Sequence, residues 1–225
     1  MGSGTTATVS ATIDAKGDLV AIAAWCYTSC TPVSVTLGNQ VATKSSVSGL
    51  PGLGVSPDTG QGFIFYVLSA AAAGTQTITW TVTGVNSDQT QVAYIDFAPS
   101  AGCAFTHHLD SAVGSGTGGT ANTPSITGAT GDLLFNFTWV TEHVTDVNSP
   151  WSCTVYNGSG QTGDCSFDKT RNADAYILAA PSGSTANNMT MIHGTDSWQG
   201  LITSFSITST NPKPNPPTGL TAFVQ

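Results

Sequence analysis

Gly131-Asp132-Leu133-Leu134-Phe135-Asn136-Phe137-Thr138-Trp139-Val140 reads as a strand buried along its whole length. The Gly-Asp pair punctuates a tight turn, and large apolar and aromatic residues then dominate, as they do in strands. The same text occurs near the N-terminus as Gly17-Asp18-Leu19-Val20-Ala21-Ile22-Ala23-Ala24-Trp25. In both places Trp follows Gly by eight positions. An echo of this kind points to an internal duplication.

Other segments repeat in the same order. Tyr66-Val67-Leu68-Ser69-Ala70-Ala71 aligns with Tyr176-Ile177-Leu178-Ala179-Ala180-Pro181 at an offset of 110, while the Gly-Asp-Leu text is offset by 114. Continued without a gap, the 110 offset carries Val82 onto Ile192, Gly84 onto Gly194, Ser87 onto Ser197 and Gln89 onto Gln199. The halves run over 5–100 and 124–208, joined by a Gly/Ser/Thr-rich connection at 99–123. Within them, Thr5 to Ile13 places Ala7, Val9, Ala11 and Ile13 at every second position, the period of a half-buried strand. Pro32–Leu37, Phe63–Leu68, Thr75–Val82 and Gln91–Phe97 read as further strands. Residues 48–62, rich in Gly and Pro, read as a long loop of the sort that is more often functional or mobile than incidental. No segment supports a useful helix, since the Ala-rich run ends at Gly74. The expected fold class is all-β: an antiparallel β-sandwich, jelly-roll or immunoglobulin-like, built from a duplicated half of about 110 residues and occupying 5–210.

Composition narrows the function classes. Charged residues make up 8% of the 225, about a third of the usual share. With 40% apolar residues the chain is not of the disordered type. Five Lys and Arg stand against thirteen Asp and Glu, for a net charge of −8. No basic stripe is present, which argues against nucleic acid or an anionic membrane as partner. No run of eighteen apolar residues suits a membrane span.

Five cysteines suggest an oxidising, secreted setting. Cys26 and Cys30 bracket a short loop, and Cys153 and Cys165 could staple a hairpin, so Cys26–Cys30 and Cys153–Cys165 are the expected disulfides, with Cys103 left over. Met1-Gly2-Ser3-Gly4 reads as an added start from which any export signal has been removed. At the other end, 211–217 is a Pro-rich linker of extended character. Residues 218–225, Thr218-Gly219-Leu220-Thr221-Ala222-Phe223-Val224-Gln225, resemble the opening strand of a fibronectin type III domain. A short strand of this kind orders only against a body or a neighbouring chain.

Gly17-Asp18-Leu19, Val33-Ser34-Val35-Thr36, Tyr66-Val67-Leu68, Ala73-Gly74-Thr75-Gln76-Thr77-Ile78-Thr79 and Gly131-Asp132-Leu133-Leu134, taken together, resemble a recurrent module of large secreted bacterial multidomain proteins. The resemblance covers about residues 5 to 208. That family often precedes fibronectin type III or immunoglobulin-like repeats. It implies a jelly-roll-type sandwich and brings no established catalytic residues. This copy departs from the pattern in its cysteines and in Phe105-Thr106-His107-His108-Leu109-Asp110, where a specialised role is expected.

The chemistry on offer is sparse. Glu142 is the one glutamate, and Asp14, Asp58, Asp88 and Asp146 sit in turn-like text, so a pair of carboxylates for glycoside hydrolysis is poorly supported. Gly114-Ser115-Gly116-Thr117-Gly118-Gly119 lacks the strand and helix context of a phosphate cradle and reads as linker. His107, His108, Asp110 and His143 are the candidate metal ligands, with Glu142 and His193 as further donors, and imidazole suits a transition metal. Calcium is the other candidate ion, through oxygens of Ser56–Gly60 and Asp146–Asn148. Adjacent strand residues face opposite ways, so His107 and His108 should not share a site if they lie on a strand. For glycan binding, Trp25 and Trp139 are expected to be core, while Trp151, Trp198 and Tyr156 sit in loop contexts and are the candidate ligand contacts.

Three functions are therefore weighed. The first is a non-catalytic extracellular module for glycan or cell-surface binding and spacing. The second is a fibre or adhesin subunit assembled with neighbouring copies by strand exchange through the C-terminal tail. The third is a metal-dependent carbohydrate-active enzyme.

Overall fold

The computed structural model describes residues 4–26, 28–48, 60–85, 90–99, 101–111, 114–128, 130–140, 144–153, 172–191, 197–209 and 220–221. The first half supplies β1 (Thr5–Ile13), β2 (Leu19–Cys26), β3 (Thr31–Leu37), β4 (Gln40–Val41), β5 (Thr43–Ser48), β6 (Gln61–Val67), β7 (Gly74–Thr83) and β8 (Thr90–Phe97). Then come β9 (Cys103–Asp110), β10 (Gly114–Thr117) and β11 (Thr120–Asn122). The second half continues with β12 (Leu133–Val140), β13 (Val144–Val147), β14 (Ser152–Cys153), β15 (Asn172–Ile177), β16 (Asn188–Met191) and β17 (Ser197–Ser209), and β18 (Leu220–Thr221) lies near the C-terminus.

All pairings between these strands are antiparallel, and they make four sheets. The first outer sheet has the order β1-β7-β3-β4, and the first inner sheet β18-β8-β2-β6-β5. In the second half the inner sheet runs β10-β17-β12-β15-β14, with β9 also on β17, and the outer sheet β11-β16-β13. The order β7 between β1 and β3 reappears as β16 between β11 and β13, and β8-β2-β6-β5 reappears as β17-β12-β15-β14. The duplication is thus one of topology as well as text.

The halves do not share a single sandwich. Each is a two-sheet sandwich, and the two stack through their inner sheets into four layers with three cores. Val20, Ile22 and Ala24 meet Ile78, Trp80 and Val82 in the first core. In the middle core, Leu19, Ala21, Ala23 and Trp25 meet Leu133, Phe135, Phe137 and Trp139. Leu134 and Val140 meet Trp151, Met189 and Trp198 in the third. This explains why every residue of β2, and six of the eight in β12, are apolar while β1 alternates. A strand buried on both faces favours apolar residues on both, and one facing water on one side needs them at every second position. All eight residues of β2 and all eight of β12 are buried.

A pseudo-twofold relates the halves. Tyr66 packs edge-on against Phe205 at 5.2 Å, and its counterpart Tyr176 packs edge-on against Phe97 at 5.7 Å. The two entry turns are pinned alike. Gly17 N–H donates to the Ala70 carbonyl and Ala70 N–H to Asp18, as Gly131 N–H donates to Ala180 and Ala180 N–H to Asp132. Gly17 and Gly131 have φ of 102° and 93°, the left-handed region in which glycine carries no Cβ penalty. The 110 offset fails in β7, where it would carry the buried Ile78 and Trp80 onto the exposed Asn188 and Thr190, and again in the last strand. Trp25 pairs with Gln91 and Trp139 with Gln199, so that strand is offset by 108 rather than 110, and Ser87 and Gln89 lie outside the described residues.

Two further expectations change. The stretch 99–123 is more than a connection, because β9, β10 and β11 all come from it. Gly114 and Gly116 belong to β10, where the Trp198 ring lies within about 3.4 Å of any Cβ that either could carry. Glycine is there so that an indole can lie flat on the backbone. β18 pairs with β8 of its own chain, Leu220 opposite Phe97 and Thr221 opposite Asp96.

Packing across the twofold is unequal in size. Ala21 and Ala23 stand where the second half has Phe135 and Phe137, and the Trp25 ring stacks on Phe137 at 5.5 Å. At Gly62 the Phe137 ring takes the space that a Cβ would need. Phe137→Ala should therefore cost about 3–5 kcal/mol. Because its ring lies in the core that both halves share, urea denaturation followed by near-UV circular dichroism should show one earlier transition rather than the loss of one half alone.

Candidate functional site

Phe105–Asp110 lies in β9, laid along the edge of β17 with Phe105 opposite Ile207 and His107 opposite Phe205. Its alternation sends neighbouring histidines to different partners. His107 Nε2 lies 3.0 Å from Asp110 Oδ1, and its ring stacks on Tyr66 of the first half at 5.0 Å with an 8° interplanar angle. His108 Nδ1 lies 2.6 Å from Asp132 Oδ2 in the entry turn of the second half. Asp110 Oδ2 accepts from both the backbone N–H and the hydroxyl of Ser46 on β5, at 2.9 and 2.6 Å. β9 is thus a clasp. It is paired to the second half along its length and tied to the first through Asp110–Ser46 and His107–Tyr66.

The electrostatics fit a structural clasp. Burial raises the Asp110 carboxyl, but hydrogen bonds from Ser46, Thr203, His107 and Ser45 outweigh it and hold the group well below the usual carboxylate range. Asp132 is 3% exposed and also accepts from the Ser206 hydroxyl at 2.9 Å. Ser206 and His108 share one carboxylate from opposite sides. Acyl transfer needs the serine on the imidazole and the imidazole on the acid, so these three residues are in the wrong order for a nucleophile.

His107 and His108 do not converge on one site. His107 and His108 serve different carboxylates, and among the described residues no group of three or more His, Cys, Asp or Glu is placed to hold a metal ion. His143, Glu142 and His193, and the candidate calcium loop Ser56–Gly60 apart from Gly60 itself, lie outside the described residues.

Trp151 and Trp198, expected as exposed ligand contacts, are buried. Trp151 is 5% exposed and donates its Nε1–H to the Ala186 carbonyl at 2.9 Å, while Trp198 is 7% exposed and covered by β10. The reason is the short outer sheet of the second half. Among the described residues β11, β16 and β13 have three, four and four residues, against nine, ten and seven in β1, β7 and β3. Two indoles fill the third core where the short strands leave it open. Tyr156 lies outside the described residues. Trp25 and Trp139 are core, at 2% and 0% exposure.

Cys26 and Cys30 form a disulfide. Cys153 is disulfide-bonded, and Cys165, its expected partner, lies outside the described residues. Cys103 is a free, half-buried thiol.

Two carboxyls escape a sequence reading altogether. Asp174 is fully buried on the inner face of β15, where the first half has Ile64, and has no hydrogen-bond partner among the described residues. Burial pushes its carboxyl well above the ordinary value. Asp96 is 3% exposed and is pushed up to about 7, first by burial and then by Asp18 and Asp14, against the Asp14 N–H that it accepts at 2.8 Å. The only sequence signal for Asp174 is its place opposite an isoleucine in the duplicate.

No family model matches this chain, and no curated protein matches it. Among solved structures it is similar to the major capsid protein P2 from bacteriophage PM2, at 9% identity over 93% of this chain and 94% of that one, with a TM-score of 0.27. A likeness at that level carries no argument about what this chain does.

Asp174 and Asp110 give opposite pH dependences. Asp174 has a raised folded value, so its stability is fully present below the unfolded carboxyl pKa of roughly 4 and is lost as pH rises toward the folded value. Asp174→Asn should flatten that slope and raise the urea midpoint at pH 7. Asp110 is depressed, so its contribution is present above roughly pH 4 and is lost as pH falls through the folded value. Asp110→Asn should cost about 2 kcal/mol at pH 7, with the deficit shrinking in acid. Equal slopes in variant and wild type would remove either assignment.

Proposed function

We propose that the chain is a non-catalytic extracellular module that binds a polysaccharide or cell-surface glycan and spaces the parts of a longer secreted protein. The observation that carries this reading is the place of β18, whose two residues pair with Asp96 and Phe97 at the end of β8 within its own chain. An open sheet edge is where a strand from another chain would add. A tail strand already paired in cis favours an isolated module over a fibre subunit that donates its tail.

Two other features support the reading. His107, His108, Asp110 and Asp132 are tied to one another, to Ser46 or to Ser206, in geometry that fastens strands. The low charge and the Cys26–Cys30 disulfide suit life outside the cell.

Sedimentation velocity over a wide concentration range should find a monomer, both for the full chain and after deletion of residues 212–225. Oligomers that vanish on that deletion would replace this reading with strand exchange between copies. In parallel, pull-down on a panel of insoluble polysaccharides should retain the wild type, and retention on none would count against glycan binding.

A further inference from the structure

The first outer sheet carries an ordered array of hydroxyls. On its solvent face every second residue of β1 from Thr6 to Thr12, and of β7 from Thr75 to Thr83, is threonine or serine. Register aligns them in rows across three strands, Thr8–Thr79–Thr36 beside Thr6–Thr81–Ser34. Neighbours in a row are about 4.8 Å apart and successive rows about 6.8 Å apart, from strand spacing and rise. None of these six hydroxyls has a hydrogen-bond partner among the described residues; on this face Thr83 alone is engaged, with the Thr31 carbonyl at 3.5 Å. The Thr8–Thr79–Thr36 row ends on Val41, which is 72% exposed.

The duplicate half provides an internal comparison. Its outer sheet pairs Thr120 with Thr190 and Asn122 with Asn188 on strands of three and four residues, so the array is not repeated among the described residues. A requirement of the fold alone would act on both copies. Charge is excluded from the face too: the chain carries −8, and no charged residue occupies an outward position on β1, β7 or β3.

We propose that this face binds an extended chain of a neutral polysaccharide, laid across the threonine rows. Each hydroxyl both donates and accepts, as each sugar hydroxyl does. Threonine is stiff at χ1, so the array is held ready and little side-chain entropy is lost on binding. Individually weak contacts at regular spacing then add along one polymer. Val41, at the end of a row, offers an apolar surface to the C–H face of a sugar ring. An uncharged ligand matches an uncharged face on an acidic protein. Adjacent strands rotate by roughly 20–25°, so a flat crystal plane such as ice would meet only part of the array, whereas a flexible chain can follow the twist.

This inference rests on the glycan-binding reading, and the test separates the two. Binding to insoluble β-1,4-glucan, mannan and chitin is measured by depletion for the wild type and for the triple variant Thr8→Val, Thr79→Val, Thr36→Val, which removes hydroxyls and keeps shape. A control carries Thr120→Val and Thr190→Val on the other outer sheet, and Thr79→Lys places one charge in the array. Melting temperatures establish that each variant is folded. Retention of wild type and control on a neutral polysaccharide, with at least a tenfold loss in the triple variant and in Thr79→Lys, is the expected result. Undiminished binding by both face variants would overturn the site and leave the glycan reading standing. Retention of the wild type on no polysaccharide would overturn both. Ice shaping by the wild type that the triple variant lacks would assign the face to frozen water and overturn the polysaccharide.

Discussion

Everything in this molecule depends on the contact between two inner sheets that are buried on both faces. Leu19, Ala21, Ala23 and Trp25 from β2 meet Leu133, Phe135, Phe137 and Trp139 from β12, and all eight are 2% exposed or less. A sheet in this position has no solvent face, so any polar residue on its central strand, such as Asn136 or Thr138 of β12, has to find its hydrogen bonds inside the core. Each inner sheet also closes a second core on its far side. Loss of the central contact would expose apolar surface belonging to both halves at once, and the chain behaves as one body for that reason.

The two halves have diverged around this constraint. The first keeps long outer strands and an aliphatic far side at Ile22 and Ala24. The second has Asn136 and Thr138 at those places, buried and joined in a network. Asn136 Nδ2 donates to the Leu201 carbonyl at 2.8 Å, while its Oδ1 accepts from Thr138 at 3.1 Å and Asn187 at 2.8 Å. Buried amides are tolerated when their donors and acceptors are used. With a short outer sheet, the second half relies on this network, on two indoles and on the β9 edge strand where the first relies on strand length.

Much of the fold was legible because it was written twice. The Gly-Asp-Leu turns, the Tyr-containing strands and the contrast between alternating and unbroken apolar runs follow from periodicity and backbone geometry, which are local. The four-layer stacking was not legible. An uninterrupted apolar strand says that both faces are covered and does not say by what. The site failed on the same ground. Trp151 and Trp198 sit in loop-like text, yet burial is decided by the length of strands elsewhere, here β11, β13 and β16. Adjacent histidines signalled divergent directions correctly, but Asp132 and Ser46, the groups that receive His108 and Asp110, are separated from them by 24 and 64 residues. Thr6 to Thr12 announced a half-buried strand, and only pairing with β7 and β3 turned its polar positions into an array.

The unequal side chains across the pseudo-twofold bear on ancestry. Two identical copies of a half could once have met as a symmetric dimer, each presenting the same patch to the other. The present faces no longer permit that. Two copies of the first half would bring Ala21 and Ala23 onto themselves and leave a void, and two copies of the second would crowd Phe135 and Phe137 into the same space. Once fused in one chain, the halves were free to divide large and small residues between them. That division makes each the fitted partner of the other and of no second copy of itself.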